Sequence, residues 1–295
     1  MAFRTVIIDQ ASRINLDLNN IVVHYKNEHF WINLDEISII IIEDPRCSVS
    51  LKLLTEICEK GITFILNNTS HMPVGSINTL YNHSRASKNI YNQVNWQRDT
   101  KLFLWTEIVK RKIKSQIVTL EKTNKTDKQD ILTSYINSID LGDVTNREGL
   151  ASRVYFKELF GKNFKRFNDD MINFSLNYAY QIIRSKISQE IVALGYIPCF
   201  GIFHRSEYNH FNLADDFIEV FRPIIDYYVY HILNQNEEEY FTTNLKIELV
   251  NIINKKVLYN NMEQKIYNCI PLYLQNMFNF LEKGDISKII FPELL

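Results

Sequence analysis

Over the first 75 residues, apolar and polar positions alternate in short β-branched runs: TVIID at 5–9, RINLDLNNIVVHYKN at 13–27 and HFWINLDEISIIIIED at 29–44. This spacing predicts strands, with a turn at Asn19-Asn20. CSVSLKLLTEICEKG at 47–61 changes period and predicts a helix, with Ser48 or Ser50 able to cap its start and Gly61 just past its end. ITFILNN at 62–68 predicts one more strand. From about residue 86 the period is helical. In 99–121, Leu102, Trp105, Ile108, Val109, Ile113 and Ile117 recur at threes and fours. Further helices are expected at about 127–139, 146–160, 167–194, 212–233, 240–258 and 262–283. The expected fold is α+β: a small N-terminal β-rich domain with one helix over 1–78, a linker at 79–90, and a larger all-helical domain over 91–295.

Composition narrows the class. A hydrophobic content of 46% with 23% charged residues is that of a soluble globular chain. Eight glycines and six prolines leave little room for linkers. The longest apolar run, Ile39 to Ile42, is too short to span a bilayer. The N-terminus reaches Asp9 before a signal-peptide stretch develops, so a cytoplasmic protein without membrane contact is expected. Cys47, Cys58, Cys199 and Cys269 form no CxxC pair, which argues against a disulfide framework or a zinc ribbon. The net charge of −1 conceals an asymmetry. Residues 84–211 hold 20 Lys/Arg against 13 Asp/Glu, or +7, leaving −8 for the rest. Such a basic centre suits either a polyanion-binding face or helices with solvated lysines. The acidic cluster Glu237-Glu238-Glu239 is expected to be a solvated helix face.

Chemistry concentrates in GIFHRSEYNHFNLADDFIEVFRPIID, residues 201–226. On a helix starting near Asn212, Leu213, Phe217, Val220 and Ile224 share one face. Asp216 and Glu219 are neighbours at three apart, and Asp215 and Glu219 at four. Pro223 lacks the N–H that would bond the Glu219 carbonyl, so a kink is expected beside the acids. Two local penalties at one place point to a functional constraint. Three readings stay open: first-turn carboxylates complementing the helix dipole, a Glu219–Arg222 ion pair, or a metal site shared with His204. Upstream, Thr145 to Glu148 fits a capping box, which would explain Glu148 structurally. Glu148, Ser152 and Tyr155 also fall on one face. His204-x-x-Glu207-x-x-His210 matches neither zinc-peptidase motif, and no phosphate-cradling glycine loop occurs.

Together, EGLASRVYF at 148–156, GIFH at 201–204 and DFIEVFRP at 216–223 resemble the CRISPR-associated integrase, the family numbered one among the Cas proteins and the catalytic subunit of the spacer-acquisition complex. The N-terminal pattern is similar too, so the resemblance covers essentially the whole chain. NLADDFIE and NHSRASKNIYNQVNW look like members from type II-A systems.

The resemblance implies metal ligands at Glu148, His204 and Glu219, with Asp216 at the family's other acidic position and its direct ligation left open. Oxygen and imidazole donors suit Mg²⁺ or Mn²⁺. The implied reaction is strand transfer, in which the 3′-hydroxyl of a prespacer fragment attacks a phosphodiester at the leader-proximal CRISPR repeat. Water in place of the hydroxyl gives endonuclease activity. Arg85, Lys88, Arg147, Arg153, Lys162, Lys165, Arg166, Arg184 and Arg205 are candidates for phosphate contact by charge and proximity to the motifs. The implied partners are double-stranded DNA, a second copy forming a homodimer through the β domain, and the small Cas-two dimer in a heterohexamer. In type II systems, further adaptation subunits and the effector nuclease join. The competing readings are a metal-dependent nuclease of branched DNA and a non-catalytic structural subunit. The last predicts that Glu219→Ala costs under about 1 kcal/mol.

Overall fold

The computed structural model describes residues 4–69, 72–77, 83–235 and 240–295. The acidic cluster at 237–239 and the 79–82 portion of the expected linker lie outside them. The chain divides into two compact units, Met1–Asn82 and His83–Leu295.

The first unit contains β1 (Arg4–Ile8), β2 (Arg13–Asp17), β3 (Asn20–Tyr25), β4 (Glu28–Asn33), β5 (Ile37–Ile42), β6 (Ser48–Val49), α1 (Leu51–Glu59), β7 (Thr63–Asn67) and β8 (Pro73–Ile77). One sheet runs β1-β5-β7-β8 and the other β4-β3-β2-β6. β5 pairs in parallel with β1 and β7, and all of its residues are buried. A strand covered on both faces needs a continuous apolar run, which is why ISIIII does not alternate. Ile14, Ile21, Leu34, Ile37, Ile40, Leu53, Ile57 and Phe64 belong to one core. Asp17 pairs with Asn20, so the hairpin turns at Leu18-Asn19, one residue earlier than expected, with Leu18 at φ 52°. Ser50 caps α1 by accepting the Leu53 N–H. β8 was hidden by Pro73 and Gly75, which weaken strand propensity but are tolerated on an edge.

The second unit contains α2 (Ala86–Val94), α3 (Arg98–Lys122), α4 (Gln129–Asn137), α5 (Arg147–Phe160), α6 (Met171–Ala193), α7 (Asn212–Ile218), α8 (Arg222–Gln235), α9 (Thr243–Val250), β9 (Lys256–Tyr259), β10 (Met262–Lys265), α10 (Ile266–Lys283) and β11 (Glu293–Leu294). α2 therefore begins inside the expected linker. The unit is helical but not all-helical, because β10-β9-β11 form a small sheet. The helix expected to reach 258 stops at Val250. Asn260 and Asn261, at φ 50° and 61°, turn β9 into β10, the mirror-type turn that tight hairpins favour. The helix expected over 212–233 is two helices interrupted at 219–221, since Pro223 offers no N–H to the Glu219 carbonyl.

α3 packs against α4, α5, α8 and α10, and α6 packs against α7, α8, α9 and α10. Leu104, Trp105, Ile108, Val109 and Ile113 bury the apolar face of α3. Lys112, Gln116 and Thr119 are buried on the same helix at spacings of four and three. That polar stripe runs under the candidate site.

Candidate active site

Glu148 opens α5 without capping it. Asn146, in the left-handed region at φ 53°, accepts the Gly149 N–H at 3.1 Å, while Asp143 accepts those of Arg147 at 2.7 Å and Glu148 at 3.0 Å. The expected Thr145–Glu148 capping box is thus not formed. Asp143 and Asn146 satisfy the orphan donors, so Glu148's carboxylate is free for other partners. It accepts from Ser152 Oγ at 3.1 Å and pairs with Lys112 Nζ.

The break between α7 and α8 presents Glu219, which is 6% exposed. Its Oε1 accepts from Arg222 Nε at 2.8 Å, and its Oε2 pairs with the same Lys112 ammonium. The Glu219–Arg222 pair therefore exists, but as one side of a buried cluster. Burial alone would raise the Glu219 carboxyl, yet Arg222 and Lys112 hold it down to about 2. The Arg222 guanidinium lies over the Tyr180 ring, 4.5 Å from its centroid.

His204 comes from the loop between α6 and α7. Asp216, fully buried on α7, accepts the backbone N–H groups of Ile202 at 2.6 Å, Phe203 at 3.2 Å and His204 at 3.0 Å. Its Oδ1 also lies 2.7 Å from His204 Nδ1. Burial tends to lower the imidazole, but Asp216 and the charge of Glu219 raise it above its ordinary value. A Cβ at Gly201 would sit 2.7 Å from Asp216 Oδ2, so only glycine lets the loop close this tightly. Trp105 stacks on Phe203 with centroids 4.1 Å apart and meets the His204 ring edge-on at 5.5 Å. With Nδ1 tied down, Nε2 is the ring atom left for a ligand. Asp216's oxygens are committed to this loop.

Glu148 and Glu219 line a cavity of about 420 Å³ with Lys112, Arg166, Arg184 and Arg222. His204 lines a second one, of about 480 Å³, with Lys101 and Arg205. Of the nine basic candidates, Arg166 and Arg184 reach the first cavity and Arg205 the second. Arg166 is braced by Asn173 at 3.0 Å and Asn177 at 2.7 Å, and Arg184 lies over Phe211 at 4.7 Å. Arg85, Lys88, Arg153, Lys162 and Lys165 are exposed and line neither cavity, and half-buried Arg147 stands over Tyr135 at 5.8 Å. No three His, Cys, Asp or Glu side chains among the described residues are gathered as a metal site. The Lys112 ammonium lies between the two glutamates instead. The donor types themselves fit a hard divalent cation: two carboxylates plus an imidazole whose second nitrogen is hydrogen-bonded.

Sequence reasoning missed Lys112 and Asp226. Lys112 is seven residues after Trp105, four after Ile108 and three after Val109, so it interrupts the apolar stripe of α3. A lysine at a core position requires a buried carboxylate partner, and that was the available signal. Burial would lower its ammonium, but Glu148 and Glu219 outweigh this and raise it. Asp226, fully buried, accepts the hydroxyls of Tyr155 at 3.1 Å and of Tyr180. It had no local anomaly to betray it.

The family description "CRISPR associated protein Cas1" matches residues 5–264. A "CRISPR-associated endonuclease Cas1" from Neisseria meningitidis serogroup C (strain 8013) is 30% identical over 296 residues, covering 100% of this chain and 97% of that protein. Among solved structures, a casposase bound to integration product superposes with a TM-score of 0.78 at 17% identity, covering 96% of this chain and 92% of that one. A chain of a Cas6-RT-Cas1–Cas2 complex gives 0.75 at 16% identity, over 99% of this chain and 36% of that one. These structures share the fold, and the family match and the Neisseria relative go further: the chain belongs to the CRISPR-associated Cas1 family.

Proposed function

We propose that this chain is a CRISPR-adaptation integrase that joins the 3′-hydroxyl ends of prespacer DNA to the leader-proximal repeat, with endonuclease activity at the same site. The observation that carries the reading is the convergence of Glu148, from the start of α5, and Glu219, from the α7–α8 break, on one arginine-lined cavity. Family membership and a fold shared with a casposase bound to integration product support it.

Glu148, Glu219 and Nε2 of His204 would hold Mg²⁺ or Mn²⁺, which when bound supplies Lewis acidity to the phosphoryl oxygen. Asp216 fixes the orientation of His204. Arg166 and Arg184 attract and place the backbone phosphate without reading sequence. In the transfer a new P–O bond forms to the incoming 3′-oxygen, and the old P–O bond to the target strand breaks. One phosphodiester replaces another, so no energy source is needed. The proton of the attacking hydroxyl leaves to solvent, and the departing oxygen takes one up. Positioning and charge placement supply most of the acceleration.

The assembly belongs to the same proposal: a homodimer through the N-terminal unit, bound with a small Cas2 dimer in a heterohexamer. Phe30 and Trp31, 48% and 57% exposed on edge strand β4, give that unit a surface to cover. The likeness to a Cas6-RT-Cas1–Cas2 complex supports the Cas2 partner. The type II-A setting, with its additional subunits and effector nuclease, rests on the resemblance of NLADDFIE and NHSRASKNIYNQVNW.

The test uses a labelled duplex with free 3′-hydroxyl ends, a supercoiled plasmid carrying the repeat, and Cas2, with Mn²⁺ or EDTA. Label joined to plasmid only with metal, and lost in His204→Ala, is the expected result. Nicking without joining would favour a nuclease of branched DNA; the name of the Neisseria relative carries the endonuclease activity alone. No metal-dependent chemistry would refute both.

A further inference from the structure

Lys112 is 6% exposed, and its ammonium contacts both glutamates at once. Among the described residues each carboxylate has one other donor, Ser152 for Glu148 and Arg222 for Glu219. Between them, Lys112 supplies one positive charge where a divalent cation would supply two. One turn further along the buried stripe, Gln116 donates to Ser152 Oγ at 3.4 Å, while its buried Oε1 has no hydrogen-bond partner among the described residues. A buried acceptor left unmade costs stability and calls for an explanation. A lysine ammonium on a flexible four-carbon stem is the kind of donor that can move to it.

We propose that Lys112 is a built-in countercation that holds Glu148 and Glu219 together in the metal-free protein, competes with the divalent ion for them, and shifts toward Gln116 Oε1 when the ion enters. This makes Lys112 a positioning residue that sets metal affinity, and it rests on the metal-site reading above. The two like-charged carboxylates do not have to separate before loading, because a cation always lies between them. The cost is a weakened hold on the metal, since the ion must replace a contact that is already made. Removing a unit charge this close should strengthen divalent binding by at least about tenfold.

The experiment measures Mn²⁺ binding to the full-length chain by the loss of the free-ion electron paramagnetic resonance signal, alongside melting in EDTA and in Mn²⁺. Lys112→Met should bind Mn²⁺ at least about tenfold more tightly than wild type. It should also melt lower in EDTA and regain the loss when Mn²⁺ is added. Gln116→Leu should bind Mn²⁺ more weakly, because the displaced ammonium loses its acceptor. If Lys112→Met fails to fold, Lys112→Arg retains the test. Its planar fork can bridge two carboxylates, so its Mn²⁺ affinity should be at or below wild type. Equal or weaker Mn²⁺ binding in Lys112→Met, or tighter binding in Lys112→Arg, overturns the competition. Unchanged affinity in Gln116→Leu overturns the shift to Gln116. Wild-type Mn²⁺ binding that survives Glu148→Ala refutes the metal site itself and the inference with it.

Discussion

Replacing Asp216 by alanine separates a residue that builds the site from one that ligates in it. Asp216 is fully buried and serves three backbone N–H groups and the His204 ring. An unsatisfied buried donor costs about 1–3 kcal/mol. The donors share one loop that can partly reopen to water, so the costs do not add in full. The His204 side chain is 38% exposed, so its pair with Asp216 adds less than a buried one would, and the expected total is about 3 kcal/mol. For a unit of this size about 1 kcal/mol shifts the melting temperature by roughly 2–4 °C, so Asp216→Ala should lower it by on the order of 10 °C in EDTA. The assay is thermal and urea denaturation of the metal-free chain, with His204→Ala and the double variant completing a cycle. The His204–Asp216 coupling should exceed about 1 kcal/mol. Had Asp216 been chiefly a metal ligand, its removal would spare or even stabilise the metal-free protein, and the loss would appear only with Mn²⁺. A metal-free destabilisation below about 1 kcal/mol refutes the reasoning.

Three further outcomes are expected. Glu219→Ala leaves Arg222 and Lys112 buried beside a missing carboxylate, so it should cost about 3–5 kcal/mol in urea denaturation rather than the under 1 kcal/mol of an exposed pair. Gly201→Ala pushes a methyl group onto Asp216, so melting temperature and strand transfer should fall together, and an unchanged melt would show that the loop tolerates a side chain. Burial raises Asp226 to about 6, partly offset by hydrogen bonds from Tyr180 and Tyr155. The folded chain therefore binds this proton more tightly than the unfolded one, so the stabilisation is complete below the ordinary carboxylate range and is lost as pH rises through about 6. Relative to Asp226→Asn, wild-type stability should drop by about 2–3 kcal/mol between about pH 4 and pH 7, and parallel profiles would refute this.

Elements whose period is strong and whose ends carry local signals were legible: β5, α1, and the long helices α3 and α6. Elements that depend on tertiary context were not. β8 contains residues that disfavour strands and survives on an edge. The β9–β10 hairpin lies within a stretch of helical periodicity, although Asn260-Asn261 mark its turn. Pro223 announces the break beside Glu219, because the missing N–H is a property of one residue. At the site, Glu148, His204 and Glu219 stood out by motif, whereas Lys112 and Asp226 depend on residues more than 30 positions away, which no local pattern reports.

The division of labour at the start of α5 has a consequence for inheritance. Asp143 and Asn146 cap the helix, so the carboxylate at 148 can change without unfolding it. If Glu148 acts as proposed above, a chain carrying Glu148→Gln would keep its fold while being chemically silent. In the assembly proposed above, such a subunit mixed with active chains would occupy their substrate, and its defect would be dominant rather than recessive. Loss at Glu219 acts in the opposite way: the damaged chain is destabilised, depleted by cellular proteases, and so largely kept from its partners.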